Sequence, residues 1–337
     1  MDAQAVLVWI VPLFFVFMAA EFVYFYSRGR NIYKFSDTLA SLSCGFGQAI
    51  IDTILQIGLL AAYGVLQSSL GIAVKHLTIG RFLFTFIVID LAYYIYHRLS
   101  HSINWMWAIH VVHHSSSEFN YSVALRQAWF QKFSAFPFYL LFIFTGTGPI
   151  AIGGVIAIHA CWQFLSHTRT LPREIPILRW IFVTPSHHRV HHGINPQYQN
   201  KNFAGVFSIW DRLFASYEPE KEEVKYGILP ALQNYGVWNV NTHGWREIWD
   251  QLQICPTITA KWKLLWGPPL NVNRENHSKR KKRSPGLLAT IFGIIFLFCI
   301  LYLANYTSMN LHEALMLSSS LIGALVFAGN LLDQLQT

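Results

Sequence analysis

The chain has 337 residues, of which 53% are hydrophobic and only 12% charged, about half the charged share of an ordinary soluble domain. That composition excludes a disordered chain and argues against an enzyme lying wholly outside a membrane. The net charge of +8 does not call for a nucleic-acid partner, because Lys279, Arg280, Lys281, Lys282 and Arg283 supply +5 of it directly before an apolar run. Such a run reads as a cytoplasmic topology anchor.

Apolar stretches follow in chain order at about 4–26, 38–66, 80–97, 131–147, 150–166, 286–305 and 312–332, each set against the roughly 20 residues a helix needs to cross a bilayer. The first is too long and aromatic for a cleavable leader and is read as a retained span. Arg28, Arg30 and Lys34 follow it and no Lys or Arg precedes it, which places the N-terminus outside. Gly146, Gly148 and Pro149 separate the fourth and fifth stretches, which form either two crossings or one re-entrant pair. On either reading, segments 97–114, 167–192 and 279–283 fall on the cytoplasmic side. From about 167 to 285 the chain is more polar and broken by prolines, as expected of an extramembrane layer. There Trp245, Trp262 and Trp266 occur with Lys261 and Lys263, a mixture that suits a segment among lipid headgroups or an ordinary amphipathic surface helix equally. Cys44, Cys161, Cys255 and Cys299 share no close spacing and read as small core residues.

Eleven of the fifteen histidines lie between His97 and His192. Their spacing is His97-Arg-Leu-Ser-His101, His110-Val-Val-His113-His114 and His188-Arg-Val-His191-His192. On a helix, residues three and four apart share a face, so each motif presents two or three imidazoles toward one point. These eight donors are twice what a closed four-coordinate zinc site uses, so two metals are expected, with His167 as a ninth donor at the end of the fifth apolar stretch. Neutral imidazole suits iron, zinc, copper or nickel, and residue type alone leaves the metal open. His187 is either a further ligand or a group behind the ligands. His159, inside an apolar stretch, reads as a hydrogen-bonded core histidine. Asp90 lies seven residues before His97 in the third span and needs a partner. Its functional reading is a carboxylate that accepts an N–H from a ligand histidine; its structural reading is an internal ion pair or hydrogen bond. Asn120, Arg126 and Gln127 could bind a headgroup or reductant, or could hold the histidine helices through loop hydrogen bonds.

At these motifs the sequence resembles the fatty acid hydroxylase/sterol desaturase superfamily of integral membrane di-iron enzymes, most closely its alkylglycerol-cleaving branch. The likeness runs through Ala124-Leu125-Arg126-Gln127, Thr184-Pro-Ser-His-His-Arg-Val-His-His-Gly193, Asn202-Phe-Ala-Gly-Val, Trp210-Asp211 and Tyr226-Gly227, and covers about 80–230. It implies O2-dependent hydroxylation of a lipid C–H bond by two Fe ions, with tetrahydrobiopterin as the reductant of that branch. The same branch carries a Glu directly after the second histidine of the first motif, where this chain has Ser102. The fold class expected is therefore all-α, a polytopic membrane helical bundle with a histidine-rich di-metal layer at the cytoplasmic face. Its divisions are 1–79 N-terminal spans, 80–230 catalytic domain, 231–285 interfacial cytoplasmic segment and 286–337 C-terminal transmembrane pair. The metal ligands expected are His97, His101, His110, His113, His114, His167, His188, His191 and His192, with Asp90 and His187 as supporting catalytic groups. The partners are a lipid substrate (alkylglycerol, sterol or fatty acyl lipid), the bilayer and, in a sterol or fatty acid hydroxylase or desaturase, an electron-donor protein. A zinc-binding or metal-transport protein is the competitor from another class; transporters place polar ligands along the midplane, whereas these histidines gather at span ends.

Overall fold

The computed structural model describes residues 3–171, 176–269 and 285–334, and the basic run 279–283 lies outside them. Among the described residues the regular elements are helices, apart from one isolated bridge between Phe182 and Phe207. In chain order the helices are α1 (Ala3–Tyr26), α2 (Phe35–Ser69), α3 (Ile79–Ser100), α4 (Asn104–His114), α5 (Tyr121–Ala124), α6 (Gln131–Leu140), α7 (Pro149–Ser166), α8 (Pro185–His191), α9 (Ile209–Leu213), α10 (Val237–Ile254), α11 (Ile258–Trp266), α12 (Pro285–Asn305) and α13 (Leu311–Gln334). Starts follow from local chemistry. Thr78 caps α3 by accepting from the Arg81 N–H, Thr184 caps α8 with Pro185 at its first position, and Thr257 caps α11 by accepting from the Ala260 N–H.

Five helices are long and apolar enough to cross a membrane: Phe35–Ser69, Ile79–Ser100, Pro149–Ser166, Gly286–Ser308 and Leu311–Gln334. They match five of the seven expected stretches. Described side chains of α1 begin beyond residue 11, and that part, Pro12–Tyr26, is shorter than a span. The 131–147 stretch, left open by the sequence between a crossing and half of a re-entrant pair, is not among the five. α6 is 10 residues long, about 15 Å at 1.5 Å per residue, then tightens into a 3-10 turn over Leu141–Thr145 that ends at Gly146 with φ 68°. Half a bilayer's thickness is all that such a helix covers.

The described chain forms two compact units. One comprises Met1–Ile54, Ser102–Phe130 and Tyr226–Thr337. Its core includes Cys44, Ile50, Val112, Trp129, Val240 and Leu325. α4 lies on α10 so closely that a Cβ added at Gly244 would come within 2.9 Å of the Ala108 Cα, which only glycine avoids. Arg126, fully buried, donates from Nε to Ser115 Oγ at 2.9 Å and from Nη1 to Asp37 Oδ1 at 3.3 Å, tying the segment after α5 to the start of α2.

The second unit comprises Leu55–His101 and Gln131–Lys225. α3 packs there against α6 and α7 over a core that includes Tyr63, Ile89, Phe142, Ile152 and Val155. The polar segment beyond α7 carries α8, α9 and the turns between them.

Candidate metal centre

In the second unit, three chain segments bring imidazoles together. α3 ends with His97 in its last turn and His101 at its C-cap. α8 is a single short helix whose Thr-Pro start sets the phase of everything after it, so His188, His191 and C-cap His192 share a face at i, i+3 and i+4. His191 meets the α3 pair, with ring centroids 4.3 Å from His97 and 4.9 Å from His101. His188 turns to the end of α7, where its Nε2 lies 3.0 Å from His167 Nε2 and 3.2 Å from His192 Nε2. The ligand nitrogens within His97, His101 and His191, and within His167, His188 and His192, lie within 4.8 Å of one another. The motif spacing therefore yields two imidazole triads, with the α8 motif divided between them.

In the first unit, α4 carries the other three histidines. His110 Nε2 and His114 Nε2 are 3.2 Å apart, one helical turn from each other, and His113 has its Nδ1 3.2 Å from the Arg126 carbonyl. Gln127 Nε2 is 3.3 Å from the same His113 nitrogen. The three imidazoles are buried.

Four of the nine histidines meet a backbone carbonyl through Nδ1: His97 with Phe203 O at 2.7 Å, His113 with Arg126 O at 3.2 Å, His167 with Gln163 O at 2.7 Å and His191 with Lys201 O at 3.0 Å. A carbonyl only accepts, so each Nδ1 carries the proton and each Nε2 presents a lone pair. Burial pushes the His167 imidazole down to about 3 and His191 to about 4, against the carbonyl bonds that pull the other way. These rings are neutral at pH 7. Lone-pair nitrogens held 3.0 to 3.2 Å from other imidazole nitrogens, in a buried setting, form a donor set suited to a divalent transition metal. A metal pair fits these residues.

The carbonyls of Lys201 and Phe203 come from one turn, and two side chains hold it. Asn202, between them, adopts a left-handed φ of 57°, donates from Nδ2 to His187 O and Glu218 O, and accepts the Glu218 N–H. Asp211, at the start of α9 and fully buried, accepts the Phe203 N–H at 2.7 Å, the Ala204 N–H at 3.0 Å and the Ser216 hydroxyl at 2.8 Å. The sequence presents Asp211 and Asn202 only as members of the resembled pattern, with no role of their own. Their place in the resembled pattern was the available signal.

Asp90 is buried on α3 and accepts from His159 Nε2 at 2.7 Å, from the Val206 and Phe207 N–H groups at 2.8 and 3.0 Å, and from Trp210 Nε1 at 2.8 Å. The histidine it meets is His159, the expected core histidine, and the carboxylate anchors the turn around Gly205. A Cβ on Gly205 would fall 2.5 Å from the His159 ring. His187 faces Asp211, Nε2 to Oδ2 3.4 Å, with its ring 4.9 Å from Tyr217, in a recess also lined by Arg179, Thr184 and Ser186. Asn120 caps α5 and donates to Ile32 O, and Arg126 is spent on Asp37 and Ser115, so these two side chains serve the loop reading. Ser102 is exposed, and Glu118 pairs with Lys34 at 3.3 Å.

Residues 82–216 match the family model described as Fatty acid hydroxylase. Both triads of the second unit lie within the matched residues. Among curated proteins it is similar to an alkylglycerol monooxygenase of Xenopus tropicalis, 33% identical over 261 residues that make up 76% of this chain and 58% of the relative. The alkylglycerol monooxygenase of Danio rerio is 33% identical over 70% of this chain and 53% of its own, and that of Homo sapiens 37% over 54% and 42%. The chain spans about half the length of these relatives. No solved structure matches it.

Proposed function

We propose that this chain is a membrane di-iron monooxygenase that hydroxylates a lipid C–H bond with O2, and that its substrate is an alkylglycerol. The observation that carries this reading is the pair of imidazole triads, five of their six rings buried, within the residues that match the Fatty acid hydroxylase model. In this reading the ligands are His97, His101, His191, His167, His188 and His192, together with His110, His113 and His114 of α4. Bound iron would supply the redox chemistry that unactivated C–H bonds require and that zinc, fixed in oxidation state, lacks. The chain's own part is to keep His167 and His191 neutral by burial and to fix the tautomer of His97, His113, His167 and His191. Carbonyls of Lys201, Phe203, Gln163 and Arg126 accept hydrogen bonds from the Nδ1–H groups, and Asn202 and Asp211 fix the turn that offers the first two. Burial excludes bulk water from these rings other than His101, which is half-buried.

One atom of O2 ends in the new hydroxyl and the other leaves as water, with two electrons and two protons from a reductant. Hydroxylation at the ether-linked carbon gives a hemiacetal that falls apart to a fatty aldehyde and a glycerol derivative. Tetrahydrobiopterin is the reductant we assign. Support for a cytoplasmic placement of the centre comes from Arg28, Arg30 and Lys34 after the first apolar stretch and from the 279–283 run.

Full-length chain in lipid nanodiscs should hold about two irons and, given O2, reduced pterin and a 1-alkylglycerol, release fatty aldehyde. Full iron occupancy without turnover of any lipid would defeat the proposal, and tightly held zinc with metal flux across vesicles would favour a transporter. Ser102 favours a second reading, hydroxylation or desaturation of a sterol or fatty acid with a protein electron donor. Turnover with a ferredoxin or cytochrome donor but not with pterin would select it.

A further inference from the structure

Within the first unit, α10 and α11 expose aromatic side chains in register. Trp238, Trp245 and Trp249 are spaced by seven and four residues, one stripe along α10, and the last is 63% exposed. Ile258, Trp262 and Trp266 repeat every four residues on α11, with the two indoles stacked at 6.5 Å between centroids and Lys261 and Lys263 exposed beside them. The opposite sides of these helices are already occupied. Val240 and Gly244 of α10 face inward, with Gly244 against Ala108 of α4, and the end of α11 is pinned to the start of α4 by Asn104, which donates to Leu264 O at 3.0 Å and to Gly267 O at 2.8 Å.

The depth of this stripe is set by α13. Gly236, the residue before α10, donates its N–H to Asp333 Oδ1 at 2.6 Å and lies against the Gly329 backbone. Both partners belong to the last turn and a half of a helix long enough to span a bilayer. α10 therefore leaves the bundle where a spanning helix ends, and the end of a span is the level of the lipid headgroups. Exposed tryptophans flanked by lysines are the composition that this level favours, since an indole buries its rings against acyl chains while its N–H, and the ammonium groups, meet water and phosphate.

We propose that the tryptophan-bearing face of α10 and α11 is a lipid-contact surface, seated at headgroup depth in the same bilayer that α12 and α13 cross. A surface so seated holds α4, which carries three of the histidines, at the polar boundary of the membrane. The inference does not depend on the reaction proposed above.

The test uses the full chain in nanodiscs of phosphatidylcholine with a minority of phosphatidylserine, with nitroxides attached at Trp249→Cys, Trp262→Cys and, as the water-facing position on the same helix, Asp250→Cys. Collision with dissolved O2 and with a water-soluble nickel chelate is measured at each. The two tryptophan positions should show several-fold lower chelate accessibility than Asp250→Cys and higher O2 accessibility. Chelate accessibility equal to that at Asp250→Cys would overturn the proposal, and shielding from both reagents would overturn it in favour of a protein covering. If the cysteine variants do not fold, Trp249→Phe and Trp262→Phe keep the aromatic bulk and answer the same question. Quenching of total tryptophan emission by bromine-labelled lipid should fall in each, and unchanged quenching in both would equally overturn the proposal.

Discussion

His191 shows how much a single position can be asked to do. Its ring closes one triad with His97 and His101, its Nδ1 is held by the Lys201 carbonyl, and burial keeps it neutral. His191→Ala should release iron and abolish turnover, whereas His312→Ala, at an exposed position on α13, should leave both within error; equal loss at the two would sink the proposed division of histidines. Asp211 acts one step further back, through the Phe203 N–H to the carbonyl that orients His97. Asp211→Asn keeps the size and removes the charge, and iron affinity measured by competition with a chromophoric chelator should drop about 10- to 100-fold. His243 gives a pH dependence. It is buried on α10 with Nδ1 on Val240 O, and burial lowers its pKa to about 4. A histidine held below its unfolded value near 6.5 contributes full stability above that value and loses it as pH falls toward the folded value, so the loss runs from about 6.5 to about 4 and amounts to a few kcal/mol. His243→Leu should flatten the acid limb of a pH series of thermal unfolding, and an unaltered limb would contradict this account.

At the scale of elements, helix geometry converts spacing into convergence. The i, i+4 spacing was legible in all three motifs, with a further i+3 histidine in the second and third, and so was the apolar helix that leads to the first. Hydropathy left the 131–147 run open between a crossing and half of a re-entrant pair, because it counts residues and not the backbone path; α6 is 10 residues long and is followed by a 3-10 turn that ends at Gly146. Spacing does not reveal that α8 divides its three imidazoles between two partners, a consequence of where α3 and α7 end. Close packing of α4 on α10 depends on a residue that sequence reasoning passed over. Gly244→Val should push α4 away from α10 at a cost of roughly 1–3 kcal/mol, read as a lower unfolding temperature and weaker iron retention; a fully stable variant would show that the seam yields freely.

For the whole molecule, the metal reading has a mechanical consequence. The triads of the second unit cross-link segments near residues 97–101, 167 and 188–192, which are far apart in the chain, so ligands bound there stabilise the folded state by mass action. Stripping metal with a membrane-permeant chelator should lower the unfolding temperature in nanodiscs by several degrees, and ferrous iron should restore it; a transition indifferent to metal would argue that these imidazoles hold none. The sequence alone determined the all-helical class, the apolar helices and the identity of the histidines, since those follow from local composition and from periods of 3.6 residues. Only the tertiary structure decided which carbonyl orients which ring, that Asp90 is bound to His159 and the 206–210 turn, and that Asp211 stands behind His97. Those are contacts between segments up to about 120 residues apart, and the pattern of one segment carries no record of the partner it will meet.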